Sequence, residues 1–254
     1  MKTFWFDGES AAAHGLIVSG SGTFNAAERD VEMVSIPGRS GDLIVDKGRY
    51  KNIPVSYPAS IYTDFAANAE ACRAWLGSKT GYCRLEDDYD PDHFRMARFK
   101  GPLSFTPGFL NRTAECTIQF DCKPQRFLKS GERPVTVADG SQLRNPTAFP
   151  ASPLLIVTCT AASAILYVKD AQGNSVSFVI DVADIPEQIT LYLDSESGEV
   201  YSFHPESGTK QDRAGRGASP IGSPILRPGI NIFDFWTIEG SIDAVQIVPR
   251  WWTL

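Results

Sequence analysis

Nowhere in this 254-residue chain do apolar residues run on for the roughly 18 positions that a membrane-spanning helix requires. The opening MKTFWFDGES sets Asp7 and Glu9 where the apolar stretch of a secretory signal would fall, so the expectation is a soluble protein made in the cytoplasm. Histidine is scarce: His14, His93 and His204 lie far apart, in different kinds of segment. The five cysteines, Cys72, Cys83, Cys116, Cys122 and Cys159, are odd in number and include no C-x-x-C pair. That argues against a disulfide framework and a zinc site, and for buried free thiols. Catalytic signatures are missing too, with no G-x-S-x-G elbow and no H-E-x-x-H. Gly20 and Gly22 begin a G-x-G, but Asn25 stands where the third glycine would be, and no helix pattern follows to present amides to a pyrophosphate. No catalytic, cofactor-binding or metal-binding residue is nominated on this basis, and no cofactor is expected.

What the chain does have is apolar content and turn formers. Hydrophobic residues make up 43%, too many for a disordered chain of net charge −6, while 21 Gly and 17 Pro spread along the sequence fit many short strands. The length suits one or two domains. Charge divides unevenly. Residues 1–133 hold 17 basic and 17 acidic side chains, residues 134–254 only 7 basic against 13 acidic. Neither half has the basic excess that a sequence-specific DNA-binding domain shows.

Period-two alternation supplies the clearest element. In TAECTIQFDC, Ala114, Cys116, Ile118, Phe120 and Cys122 alternate with polar residues, which predicts a strand with one dry face. TFWF, GLIV, VEMVSI, NIPVSY, YCRLE and HFRMARF are further strands of the first half. One helix is predicted, in TDFAANAEACRAWLG, with Phe65, Ala69, Cys72 and Leu76 on one side, Thr63 as cap and Gly77 as a left-handed stop. Around 128–150 periodicity fades and turn residues gather, which places a domain boundary there, taken at 133/134. LLIVTC, AILYVK, VSFVI, QITLYL, EVYSF, NIFDFW and AVQIV then read as an all-β sandwich or jelly roll. Residues 206–224 form the longest irregular piece, expected to be a surface loop or a contact segment.

Three segments invite a functional reading. EDDYDPDH (86–93) places Asp88, Asp90 and Asp92 like the start of a calcium loop, but His93 and Phe99 occupy the glycine and glutamate positions, so a solvated acidic turn is expected. Trp236, Trp251, Trp252, Tyr192 and Tyr201 all lie in the second half, where exposed rings can stack on sugars, although packing is the commoner use of such residues. In IPGRSGDLIVDKGRYKN (36–52), charges of both signs stud a hairpin that would be a poor stand-alone structure. It makes sense against another subunit, where mixed charges fix register, and the alternative is an ordinary solvated hairpin.

Taken in order, these segments resemble the distal tail protein (Dit) family of long-tailed siphophages and related prophages. The resembling pieces are IPGRSGDL with KGRYKNIPVSY, the helix ending in WL, YCRLEDDYDPDHFR and FDCKPQRFL, then NPTAFPASPLLIV, ITLYLDSESGEVY and SPILRPGINIFDF with GSIDAVQIVPRW. The resemblance implies a mainly β structural protein of the virion tail tip and no enzyme. Residues 1–133 would be a tail-tube-like β-sandwich with one helix that assembles as a hexameric ring, and 134–254 a galectin-like β-sandwich. Its partners would be further copies of itself, the tail-tube protein, the tail-tip protein and a receptor-binding protein, with DNA passing through the lumen without specific binding and no membrane involved. In that setting Arg39, Asp42, Lys47, Arg49 and Tyr50 are the subunit-contact candidates. The alternative is a glycan-binding sandwich contacting host cell-wall sugars, for which Trp236 and Tyr201 are the contact candidates. The 206–224 piece is too short to hold an inserted domain of about 50 residues.

Overall fold

The computed structural model describes residues 2–218 and 223–254. The chain is mainly β and divides into two compact units, one running to Arg126 and including Leu254, the other Phe127–Thr253. The sequence placed the division at 133/134. Residues 128–131 group with the second unit because the Leu128 N–H donates to the Trp251 carbonyl (2.8 Å) and the Arg250 N–H to the Gly131 carbonyl (2.8 Å).

The first unit contains β1 (Phe4–Phe6), β2 (Glu9–Ser10), β3 (Ile17–Val18), β4 (Arg29–Val34), β5 (Leu43–Tyr50), β6 (Ile53–Ile61), α1 (Phe65–Ser78), β7 (Cys83–Asp87), β8 (His93–Phe99), β9 (Phe105–Pro107) and β10 (Ala114–Cys122). Antiparallel pairing runs in the order β2-β1-β7-β8-β10-β6-β3, with β9 on β10. β10 and β6 pair over nine residues, from Ala114 opposite Ile61 to Cys122 opposite Ile53, and the alternation read in the sequence sets the register. Its apolar positions are buried and meet an aromatic cluster. Phe4 stacks on Tyr57 (4.4 Å) and Trp75 (5.9 Å), and Phe6 tilts onto Phe120 (4.8 Å). α1 closes this core with Ala69, Cys72, Trp75 and Leu76. Its ends differ from expectation. The helix runs past Gly77 to Ser78, and no side chain caps its start, where Asp64 is left-handed (φ 46) and Asn68 Nδ2 donates to the Thr63 carbonyl (2.8 Å).

The second unit contains β12 (Val135–Val137), β13 (Gln142–Asn145), β14 (Leu154–Asp170), β15 (Ser175–Asp181), β16 (Gln188–Asp194), β17 (Val200–Phe203), β18 (Lys210–Asp212), β19 (Gly217–Ala218), β20 (Gly229–Val248) and β21 (Trp252–Thr253), with β11 (Arg126–Leu128) at the junction of the units. LLIVTC with AILYVK, and NIFDFW with AVQIV, prove to be two long strands rather than four. β14 and β20 pair over nearly their whole lengths, with register shifts around Thr158–Ala164. On its other edge β14 gives its first half to β16 and its second half to β15. The change of partner falls at Ala161, itself left-handed (φ 46), and Gly240 lies against it with φ 68. A Cβ on Gly240 would collide with the carbonyl oxygens of Thr160 and Ala161, so only glycine fits there. One buried cluster, from Leu155 and Val157 through Leu166 and Phe178 to Leu191 and Ile247, unites both halves. The 206–224 piece carries β18 and β19, so it is not wholly irregular, and residues 219–222 lie outside the described ones.

Candidate functional site

The hairpin of β4 and β5 is a two-stranded sheet of its own, with no further strand beside it among the described residues. Val34 pairs with Leu43, Met33 with Ile44, Glu32 with Val45 and Val31 with Asp46. Because side chains alternate, Met33 and Ile44 lie on one face and Val34, Leu43 and Val45 on the other. All of these are exposed, Met33 by 55% and Ile44 by 61%, and Ile36 beside the turn is exposed as well. A water-facing ribbon apolar on both faces is unusual on a soluble monomer.

The charged candidates mostly serve the hairpin itself. Asp30 is buried and accepts from Arg49 Nε (2.8 Å), with Lys47 Nζ at 3.7 Å. The Arg49 hydrogen bond holds the Asp30 carboxyl below the usual carboxylate range. Asp46 is held low as well, first by the Gly48 N–H (2.8 Å) and then by Arg29 Nε (2.6 Å). Arg29 also donates to the Tyr50 hydroxyl (3.1 Å) and lies over its ring (5.3 Å). Lys47, Arg49 and Tyr50 are therefore engaged within the chain, on the strand β5. Arg39 and Asp42 sit exposed in the connecting turn, their side chains without an ion-pair partner among the described residues. The apolar residues Met33, Val34, Leu43, Ile44 and Val45 were not nominated from sequence. The signal for them was present in the alternation of VEMVSI and in the LIV run between two glycine turns.

The aromatic candidates do not come together. Trp236 is 62% exposed on β20 opposite Ile165, while Tyr201 on β17 neighbours Tyr192, which lies opposite Ile156 near the other end of β14. Tyr201 stacks flat on Tyr192 (5.2 Å, 7°), and Lys210 Nζ lies over its ring (4.1 Å), so it is held between β16 and β18. Trp251 is buried and Trp252 stacks on Phe149 (4.5 Å).

The acidic turn is not simply solvated. Asp87 is buried, accepts the Tyr89 and Asp90 N–H groups (3.0 and 2.9 Å), and takes the Tyr57 hydroxyl at 2.7 Å. Burial, reinforced by the Asp87 charge, pushes the Tyr57 phenol well up, so it stays a donor. Asp90 holds His93 Nδ1 (2.7 Å), and Asp88 accepts the Thr3 N–H (2.9 Å). Beside them Arg95, also buried, donates to the carbonyls of Thr23, Asn25 and Pro124. The Asp87 bonds and the Arg95 guanidinium tie the turn and the neighbouring backbone into the core, although Asp90 Oδ2 and Arg95 Nε are buried without a hydrogen-bond partner. His14 stacks on Trp75 (4.3 Å) and His204 Nδ1 accepts two turn N–H groups (3.3 Å each), so each histidine has local work. Burial raises the thiols of Cys72 and Cys122 to about 12 and those of Cys116 and Cys159 to about 11, far from nucleophilic thiolates. Among the described residues no group of three or more His, Cys, Asp or Glu is placed to hold a metal ion, and no helix is long and apolar enough to cross a membrane.

No protein-family model and no curated protein matches the chain. Solved structures do. The crystal structure of SPP1 Dit, described as a paradigm of the hub adsorption apparatus in phages infecting Gram-positive bacteria, superposes with a TM-score of 0.72 at 12% identity, over 97% of this chain and 98% of that one. Chains of the phage P2 baseplate in its activated conformation, with calcium or with strontium, superpose with TM-scores of 0.53 at 10% and 11% identity, each over 97% of both chains. Over nearly its whole length, this chain therefore has a fold like that of a phage tail hub protein, the fold that the resemblance in its sequence led one to expect.

Proposed function

We propose that the chain is a non-enzymatic structural component of a phage or prophage virion, a Dit-like hub at the tail tip. The observation that carries this reading is the likeness to the SPP1 hub protein, which covers 97% of this chain. Six copies form a ring that joins the tail-tube protein to the tail-tip protein and offers a receptor-binding protein its seat. The hairpin supports the ring. An apolar ribbon outside both cores gains most by packing on a second copy, at about 25 cal/mol for each Å² of apolar surface covered. The contact is then made chiefly by Met33, Val34, Leu43, Ile44 and Val45. Arg39 and Asp42 add charge at the turn, while Lys47, Arg49 and Tyr50 stiffen the ribbon from within.

Size-exclusion chromatography with light scattering, followed by negative-stain microscopy, tests the proposal on the purified chain. Six-membered rings are expected. The double variant Met33→Glu, Ile44→Glu is expected to elute as a folded monomer, because each ring contact would then bury unpaired carboxylates. A parent protein that stays monomeric at high concentration, with no rings on the grid, overturns the hub reading.

A further inference from the structure

We propose that the cleft between β16 and β17 binds a neutral saccharide of one or two rings. The two strands pair at only two positions, Tyr192 with Tyr201 and Leu193 with Val200. Beyond them β16 continues back to Gln188 on β14 alone, and β17 leads into a tight turn closed by the His204 and Gly208 N–H groups. The divergence opens a hollow of about 420 Å³. That falls within the range of about 300–1,000 Å³ typical of small-ligand sites.

Its lining combines two kinds of surface. Tyr192, Phe203 and Pro205 are apolar, and Glu187, Gln188 and Arg213 are polar. Phe203 stands edge-on to Tyr192 (5.1 Å, 78°) and to Tyr201 (5.6 Å, 83°), yet remains 46% exposed. Tyr201, packed between Tyr192 and Lys210, supports this wall from behind and is not itself part of the lining. The polar groups are held in place before any ligand arrives. Arg213 Nε donates to Ser202 Oγ (2.9 Å) and its Nη2 to Gln211 Oε1 (2.7 Å), while Gln188 Nε2 donates to Asp243 Oδ2 (2.8 Å). Groups fixed in this way lose little freedom on binding.

The lining also selects the ligand's chemistry. An apolar ligand would cover the Glu187 carboxylate, the Gln188 side-chain carbonyl and those Arg213 N–H groups that Ser202 and Gln211 do not take up. A strongly charged one would match one of the two opposite charges and oppose the other. A pyranose has a C–H face to lie on the aromatic wall and hydroxyls that both donate and accept, which meets all the groups present. The inference is independent of the hub reading, since it concerns one edge of the second unit and is read by sugar binding, whereas that reading is tested by ring formation.

The test is saturation-transfer difference NMR on the full chain with the methyl glycosides of glucose, galactose and N-acetylglucosamine, and with lactose and chitobiose, each at about 10 mM. Transfer to the ring protons of at least one sugar is expected. Phe203→Ala is expected to weaken that binding about tenfold, the loss of a stacked aromatic contact. Arg213→Lys, which keeps the charge but loses the fork, is expected to weaken it as well and serves should the first variant fail to fold. Trp236→Ala, outside the cleft, should bind as the parent does. No transfer from any of the five sugars overturns the proposal. So does binding that both cleft variants leave unchanged, or that only Trp236→Ala abolishes.

Discussion

Asp194 does two jobs. Its carboxylate accepts the Glu196 and Ser197 N–H groups (2.9 and 3.4 Å), which closes the turn before β17, and it takes both arms of the Arg250 guanidinium (2.7 and 2.9 Å). Arg250 has a left-handed backbone (φ 56), a conformation that costs a non-glycine residue energy and needs outside support. The Arg250 hydrogen bond, helped by the two turn amides, holds the Asp194 carboxyl below its ordinary range. A carboxyl depressed below its unfolded value of about 3.9 adds stability that is complete above that pH and lost as pH falls through the folded-state value. Asp194→Asn should therefore cost about 1–3 kcal/mol at pH 7. In urea titrations the gap between variant and parent should close as the solution is acidified below about pH 4. A gap of equal size at acid and neutral pH would show that the charge of Asp194 does not matter. The turn itself was legible as DSESGE, but its partner 56 residues away was not, because sequence carries no distance. The acidic run 86–93 was misread for a related reason: composition cannot tell a solvated Asp from one, like Asp87, that the fold carries inside and surrounds with donors.

At the scale of elements, strand alternation was the signal that carried furthest. β8 and β10 emerge almost as their sequences predict, because one buried face imposes period two on each. β14 and β20 were each split in two for the opposite reason. Ala161 and Gly240 look like breaks in the pattern, yet the ladder continues through them and only bends. Gly240→Ala tests that bend. A Cβ in a left-handed residue pressed against two carbonyl oxygens should cost about 3 kcal/mol, read as a fall in the thermal midpoint. A variant that melts with the parent would mean the bend yields easily and glycine is not required there. In the β4–β5 hairpin the alternating charges were noticed first, but sign alone cannot tell whether a charge is answered within the chain or by a neighbour. Lys47, Arg49 and Tyr50 are answered at home, while the apolar residues of the ribbon stay exposed.

For the whole molecule, the class of fold and the presence of two units were readable, since each half had its own apolar periodicity and each builds its own core. The place of the division was harder to read. The stretch after residue 126 is rich in turn formers and looks like a linker, yet its backbone pairs with residues near the C-terminus. Fragments make the difference measurable. A fragment of residues 127–254 should melt cooperatively and at a higher temperature than one of residues 134–254, which lacks the Leu128–Trp251 and Gly131–Arg250 hydrogen bonds. Equal melting temperatures would favour a division at 133/134. The cleft beside β16 was not readable at all. It arises where two strands part company, and its lining residues come from separate stretches between 185 and 213 that share no motif.

The ion pairs at the base of the hairpin have one further consequence. Because Asp30 and Asp46 brace the ribbon from inside its own chain, its shape is set while the subunit is still alone. The proposed docking would then need no folding step, and most of the conformational entropy of such a contact would have been given up in advance. Growth of an assembly through this ribbon would be governed by encounter rate and subunit supply, so newly made chains should not accumulate as half-ordered intermediates waiting for a partner.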